Sequence, residues 1–565
     1  MSVSPPYLHG GAGLVEESFL EPTGHADPFC RDSLPPCELW PCLDFSGLPV
    51  LAYPRRLNAA AELLEPRIAS GGGERTAILF PGGSWSYREL RDAVHRIARI
   101  LVEDLGLVPG NRVLLRSPNT PLLAACWLAV VQAGGVVVCT MPMLRRRELA
   151  AIVDKAEIRL ALTDASLAAE CELAMATRVD GSPRAGSRVV RFQGGGEAGS
   201  LEALMRGQPA DFAPCDTSAD DVAAILFTSG TTGRPKGTLH FHRDLLAITD
   251  CFPRAALQPT PDDVFCGTPS IAFAYGLGGM LLTPLRHGAS TVLLEQAAHP
   301  HLLQSIENRR ATICFTVPAV YRSMAGLAGS FDLSSLRLCV SAGEKLPVAT
   351  FEAFRRATGL ELLDGIGSTE MLNHFVSSAP GAVRPGSTGR VVPGYQAKIV
   401  GEHGEELPPG AIGRLAVRGP TGCRYLSDPE RQRAYVEDGW NLTGDAFRQD
   451  ADGFFWFEAR TDDMIVSAGH NIAGPEVEGV LLEHPKVAEC AVVGMPDEQR
   501  GQIVKAFVVL APGVEPSDET IRELQDFAKS QIAPYKYPRK VEFVAGLPRT
   551  ETGKLQRFRL REGAP

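Results

Sequence analysis

The run Thr228-Ser-Gly-Thr-Thr-Gly-Arg-Pro-Lys-Gly237 packs four hydroxyls, three glycines and two cations into ten residues. That is a composition for wrapping a polyphosphate. Glycines let backbone N–H groups approach closely, hydroxyls donate, and Arg234 and Lys236 neutralise charge. The Gly-Lys-Ser/Thr ending of a Walker-type loop is missing. Pro235 also opposes a helix starting at the lysine. Thr228, Ser229, Gly230, Thr231, Thr232, Gly233 and Lys236 are therefore the candidate phosphate-holding residues.

A loop of this kind must be carried by regular elements. It follows Val222-Ala-Ala-Ile-Leu-Phe227, an apolar run of strand length. Upstream, the pattern predicts a helix near 57–68, a strand at 75–80, a turn at 81–83, a return strand at 84–87 and a helix over 87–104. A strand at 112–116, a buried helix at 121–133 and a strand from 136 follow. This alternation continues to about residue 375 and argues for an α/β architecture with parallel-rich sheets. Residues 176–220 show no clear periodicity apart from one short strand at 187–192. From Gly386, short strands at 396–400, 414–418 and 453–457 suggest a small β subdomain. Beyond Asp463 a strand at 464–466, a helix at 475–484, strands at 487–494 and 503–510 and a helix at 518–532 form a separate α+β unit. The first 50 or so residues read as an irregular arm.

Size and composition bound the rest. A chain of 565 residues calls for more than one domain. With 44% hydrophobic and 22% charged residues it reads as an ordinary globular protein. A formal charge of -10 gives no basic footprint, so nucleic-acid binding is not its main task. The 13 cysteines are scattered, and the close pair Cys37 and Cys42 has no second pair to complete a zinc site. Cys126, Cys139, Cys314 and Cys339 lie in apolar runs and read as buried hydrophobes in a reducing compartment. No signal peptide and no membrane-length apolar run is present, so a cytoplasmic location is expected. His240 and His242 lack an acidic or cysteine partner nearby and are not read as a metal pair, and His299 and His301 read as solvated loop residues.

Six motifs then agree in order and spacing. They are Thr228–Gly237, Ser341-Ala-Gly-Glu344, Asp364-Gly-Ile-Gly-Ser-Thr-Glu370, Thr443-Gly-Asp445, Arg460-Thr-Asp-Asp463 and Pro548-Arg-Thr-Glu-Thr-Gly-Lys554. On these the chain resembles the adenylate-forming superfamily: acyl- and aryl-CoA synthetases, luciferases and peptide-synthetase adenylation domains. The resemblance spans about Leu39 to Leu560. It implies an N-terminal adenylation domain over 1–461 and a mobile C-terminal domain over 462–565, hinged at Asp462. It implies ATP binding through the phosphate loop, through Ser341, Ala342, Gly343 and Glu344, and through Asp364, Gly365, Ile366 and Thr369. It places the ribose on Asp445, adds Arg460, Gly469 and His470 to the nucleotide and thiol contacts, and gives catalytic roles to Lys554, Glu370 and Thr232. The residue types agree: Asp445 is an acceptor-only carboxylate for a diol, and Glu370 is a hard oxygen ligand for Mg²⁺.

The implied reaction is AMP-forming acid–thiol ligation. A carboxylate attacks the α-phosphorus of Mg·ATP, and a thiol then displaces AMP from the acyl-adenylate. No side-chain nucleophile is needed, so catalysis rests on positioning and electrostatics. The chain ends eleven residues after Lys554 without a carrier domain, so free coenzyme A is the expected acceptor. A separate carrier protein is the alternative, and a downstream acyltransferase is a further expected partner. Monomer and homodimer both remain open.

The acid pocket should be lined by His242, Phe273, Ala274, Tyr275, Gly367, Asn373 and His374, with flat apolar walls and small residues that leave room for a ring. Phe273–Gly278, Gly237–His242 and Asp364–Met371 resemble the benzoate and 2-aminobenzoate CoA ligase branch. Asn373-His374 replaces the benzoate pattern His-Ile, and Ala459 precedes the hinge arginine as in aminobenzoate ligases. The openings Leu39–Phe45 and Leu51–Pro54 also look like that group. The expected acid is 2-aminobenzoate, with Asn373 reading the ortho group; benzoate and salicylate are the runners-up.

Overall fold

Strands rich in Val, Leu and Ala build the centre of the N-terminal region. Arg112–Arg116, Val136–Thr140 and Leu160–Asp164 are buried along their whole length, as parallel strands covered on both faces must be. The computed structural model describes residues 20–229, 235–295, 299–460, 463–467, 470–497, 500–549 and 555–562. A six-stranded sheet runs Arg188–Phe192, Leu160–Asp164, Arg112–Arg116, Val136–Thr140, Val222–Ser229, Pro235–Phe241. All its pairs are parallel except the last.

A second, nine-stranded sheet has the order Arg390–Val391, His374–Ser377, Leu362–Gly367, Leu338–Ser341, Ile313–Thr316, Val264–Gly267, Ser290–Val292, Thr76–Phe80, Gly83–Ser86. Its middle is parallel and both ends are antiparallel. Helices such as Pro121–Gln132, buried almost throughout, lie against these sheets. An antiparallel sheet follows, with Gln396–Val400, Ile412–Arg418, Trp440–Gln449 and Val436–Glu437 in order and Phe455–Arg460 beside Trp440–Gln449. The smaller C-terminal domain holds the strands Ile465–Ser467, His470–Ile472, Val487–Asp497, Gly501–Leu510 and Lys540–Phe543. Helices Gly474–Leu481 and Asp518–Gln531 pack on its core. The expected fold class, parallel-rich α/β with a small β subdomain and an α+β C-terminal domain, is the observed one.

The arm is irregular over the described residues 20–50, apart from the short helical turns Phe29–Asp32, Cys37–Leu39 and Pro49–Leu51. Asp27 there meets the buried Arg112 of the central sheet, whose guanidinium also lies 4.1 Å from the Phe29 ring. A buried arginine must be paired, and its partner is remote in sequence. Residues 201–205 form a short helix capped by Ser200, too brief to show a period. His301 lies within the helix His299–Arg309 rather than in a loop, though it is exposed. Cys126, Cys139, Cys314 and Cys339 are buried. Among the described residues no helix is long and apolar enough to cross a membrane.

Candidate active site

The motif residues gather at the carboxyl ends of parallel strands, where open α/β sheets hold ligands. Thr228 and Ser229 end Val222–Ser229, Ser341 ends Leu338–Ser341, and Asp364 to Gly367 end Leu362–Gly367. Thr228 pairs with Lys236 across the antiparallel edge, so the strand register returns the lysine to the loop's base. Gly230, Thr231, Thr232, Gly233, Asp462, Gly469 and Lys554 lie outside the described residues.

Three buried polar atoms at these strand ends have no partner among the described residues: Thr228 Oγ1, Ser341 Oγ and Asp364 Oδ1. Buried polar groups are normally satisfied, so a cluster of orphans marks a place for a polar ligand. Burial pushes the Asp364 carboxyl well above its usual range, against the Gly365 N–H and the Lys345 charge. Asp445 is buried and accepts from Arg460 Nη1 at 2.8 Å. Strand register sets these two residues opposite each other.

Glu370 is the electrostatic centre. Its Oε1 accepts from Lys236 Nζ at 3.0 Å and from the Tyr425 hydroxyl at 2.6 Å. Burial alone would raise the carboxyl; the Lys236 charge and the Tyr425 hydroxyl outweigh it and hold Glu370 below its ordinary value. Tyr425 is buried and carries no local sequence signal. An isolated bridge between Thr238 and Tyr425 and the Leu426 N–H donated to Gly237 O bring it beside Lys236. A single ionised carboxylate beside a phosphate loop fits Mg²⁺, which takes most of its ligands from phosphate and water.

Glu344 faces the C-terminal domain. Its Oε1 accepts from Arg549 Nη1 at 2.9 Å and from the Leu555 N–H at 3.0 Å. Arg549 also reaches Glu489 at 2.9 Å. The turn Ser341–Glu344 is thus tied to the residue that follows Lys554.

The expected acid-pocket residues partly converge. Tyr275 stands edge-on to the His374 ring at 5.6 Å, Phe252 lies 4.5 Å from that ring, and Phe315 lies 5.7 Å from Tyr275. Tyr275 donates its hydroxyl to the carbonyls of Val340 and Thr316, so it offers the pocket a ring and no spare donor. Ala274 is buried and Phe273 half-buried at the start of the same short helix. Glycines at 278 and 367 let Asn373 close in: a Cβ at Gly278 would sit 2.8 Å from Asn373 Nδ2, and one at Gly367 2.4 Å from Asn373 O. Leu372 turns the chain with φ +70°, a conformation uncommon for non-glycine residues and typical of functional loops. Thr421 holds this turn by donating to Met371 O at 2.8 Å. His242 stands apart: its Nδ1 accepts from the Ala59 N–H at 3.1 Å, and among the described contacts none joins it to Tyr275, Asn373 or His374. His470 opens the strand His470–Ile472 opposite Ser467.

The AMP-binding enzyme family matches residues 66–425, and the AMP-binding enzyme C-terminal domain matches residues 476–554. A benzoate–CoA ligase of Thauera aromatica is 34% identical over 91% of this chain and 97% of its own length. A 3-hydroxybenzoate–CoA ligase of Aromatoleum sp. (strain CIB) is 33% identical over 90% of this chain and 97% of its own. The crystal structure of the anthranilate CoA ligase AuaEII with anthranoyl-AMP superposes with a TM-score of 0.85 at 32% identity, covering 92% of this chain and 99% of that one.

Proposed function

Because the chain belongs to the AMP-binding enzyme family, as an AMP-forming acid–thiol ligase of its aryl-CoA branch, we propose that its acid is 2-aminobenzoate and its acceptor free coenzyme A. ATP and coenzyme A are substrates of this class. The observation that carries the choice of acid is the cluster of rings of Tyr275, Phe252 and Phe315 packed around His374, with the polar pair Asn373-His374 buried among them. Its likeness to an anthranilate ligase structure supports the same choice.

The chain's residues divide the work. Thr228, Lys236 and the loop between them grip the β- and γ-phosphates that leave as pyrophosphate. Ser341 and Asp364 hold the base, their orphaned atoms taking its polar edge. Asp445, oriented by Arg460, holds the ribose diol. Glu370 would hold Mg²⁺, which when bound would offset the charge of the phosphates. Lys236 exchanges Glu370 for phosphate when ATP enters, and Tyr425 keeps Glu370 in place. The carboxylate oxygen of the acid attacks the α-phosphorus while Lys554 stabilises the charge that develops. Residues 462–565 then swing about Asp462 to bring Gly469 and His470 to the thiol. The Glu344 tie to Arg549 and Leu555 belongs to the first orientation. Benzoate and salicylate are the competing acids, and a carrier-protein thiol is the competing acceptor.

Incubation with ATP, Mg²⁺, 2-aminobenzoate and coenzyme A tests the reading, with AMP and thioester followed together. Thioester at higher efficiency with 2-aminobenzoate than with benzoate or salicylate supports it. Pyrophosphate exchange without thioester moves the acceptor to a carrier protein. Absence of exchange with every aromatic acid overturns the assignment.

A further inference from the structure

Asn373 and His374 are adjacent, buried and locked together. Asn373 Oδ1 accepts from the His374 backbone N–H at 2.8 Å and lies 2.8 Å from His374 Nδ1. A backbone N–H can only donate, so the amide atom facing it is the oxygen and the amide orientation is fixed. The same oxygen then requires a proton on Nδ1. In a neutral imidazole this leaves Nε2 as a bare acceptor. Burial depresses the imidazole to about 3, so the ring is neutral in ordinary buffers. Nε2 is buried and has no partner among the described residues. His374 is 2% exposed.

Among the described residues none of the groups around the ring donates to that acceptor. The Cδ2–Nε2 edge lies over Gly365, where a Cβ would come within 2.4 Å of Cδ2 and 2.9 Å of Nε2. Tyr275 and Phe252 flank the ring with aromatic surface, and the Tyr275 hydroxyl is already committed to carbonyls. Asn373 Oδ1 is saturated by its two donors. It therefore has no acceptor capacity left for a substrate amine, which changes the role expected for it from sequence.

We infer that His374 Nε2 accepts a hydrogen bond from an N–H or O–H group carried on the ring of the acid, so that amino- or hydroxybenzoates, not benzoate, are the favoured class. Asn373 acts through His374 as a positioning residue that sets the tautomer. The inference rests on the aryl-acid reading above. A site built to accept a hydrogen bond rejects an isostere lacking the donor far more strongly than an apolar pocket discriminates a methyl group.

The test uses pyrophosphate exchange by the full chain with the 2-, 3- and 4-amino-, hydroxy- and methylbenzoates. Wild type should favour one amino or hydroxy acid over its methyl isostere by about 10²-fold or more in kcat/KM. His374→Phe should bring that ratio within about tenfold while efficiency with the methyl acid holds or rises. Asn373→Ala should lower the ratio by a smaller factor. If wild type shows no such preference, or His374→Phe leaves the ratio unchanged, the inference is overturned. Calorimetric binding of the paired acids to wild type settles the point even if the variants fail to fold: equal affinities would contradict it. Exchange with aromatic acids but without donor preference sinks this inference alone. No exchange with any aromatic acid sinks the aryl reading as well.

Discussion

Replacing Tyr425 by Phe deletes one oxygen from a buried site and leaves the ring in place. The lost hydroxyl donates to Glu370 Oε1 at 2.6 Å, and the acceptor is an ionised carboxylate. Such charge-assisted bonds contribute about 1.5–3 kcal/mol. In the free protein Lys236, at 3.0 Å from the same oxygen, partly compensates. In the proposed ATP complex phosphate competes for Lys236, and the Tyr425 hydroxyl would carry more of the hold on Glu370. The cost should therefore fall on the nucleotide-bound and transition states more than on folding. At about 1.4 kcal/mol per tenfold change, kcat/KM for ATP in adenylate formation should drop between about tenfold and about 150-fold. The apparent affinity for Mg²⁺ should fall in step, while the melting temperature shifts by only a few degrees. The assay is pyrophosphate exchange titrated with ATP and with Mg²⁺, beside a thermal melt. If Tyr425→Phe exchanges pyrophosphate within about twofold of wild type while Glu370→Gln is inactive, Tyr425 does not position Glu370.

Other perturbations probe separate parts of the account. Glu344→Gln weakens the tie to Arg549, a pair whose side chains are 28% and 21% exposed. It should slow adenylate formation about tenfold, with thioester formation from supplied adenylate nearly unchanged; equal loss in both half-reactions contradicts the swinging-domain assignment. Asp244→Ala strands the fully buried Arg424 guanidinium and should cost about 3–5 kcal/mol in urea denaturation, whereas a loss below about 1 kcal/mol would show that the pair is dispensable. Burial lowers His242 from 6.5 to about 3. Its unfolded form therefore binds a proton that the folded form refuses, and stability is intact above about pH 6.5 and is lost as pH falls toward 3. His242→Gln should flatten the denaturation midpoint against pH by about 1.4 kcal/mol per pH unit in that window, and an unchanged slope refutes the assignment.

Much of this arrangement was legible in the residues. Val222–Phe227 declares a buried strand, and Pro235 correctly opposes a helix at the loop's end, where the chain turns back as the strand Pro235–Phe241. Asp445 and Glu370 announce themselves by charge in otherwise small or polar motifs. What stayed hidden depends on contacts distant in sequence. Tyr425 meets Glu370 across a separation of 55 residues, through a bridge to a strand edge that no local pattern encodes. The arm is irregular because its few apolar residues have no period, and no local pattern shows that Asp27 in it is set by the need to neutralise Arg112. His242 shares a motif with the loop and opens a helix, and its Nδ1 accepts from the Ala59 N–H, a contact remote in sequence. Asn373 and His374 are adjacent in the chain, and nothing in that adjacency signals that their two side chains bond to each other.

If the acid's own oxygen attacks the α-phosphorus, a carboxylate oxygen must pass into AMP, and isotope transfer reads this. The enzyme is supplied with ATP, coenzyme A, Mg²⁺ and 2-aminobenzoate labelled with ¹⁸O in its carboxylate, and the products are read by mass spectrometry. Attack at the α-phosphorus puts ¹⁸O in AMP, leaves pyrophosphate unlabelled, and gives thioester in equal amount to AMP. Label in orthophosphate together with ADP would place the attack on the γ-phosphorus and contradict it.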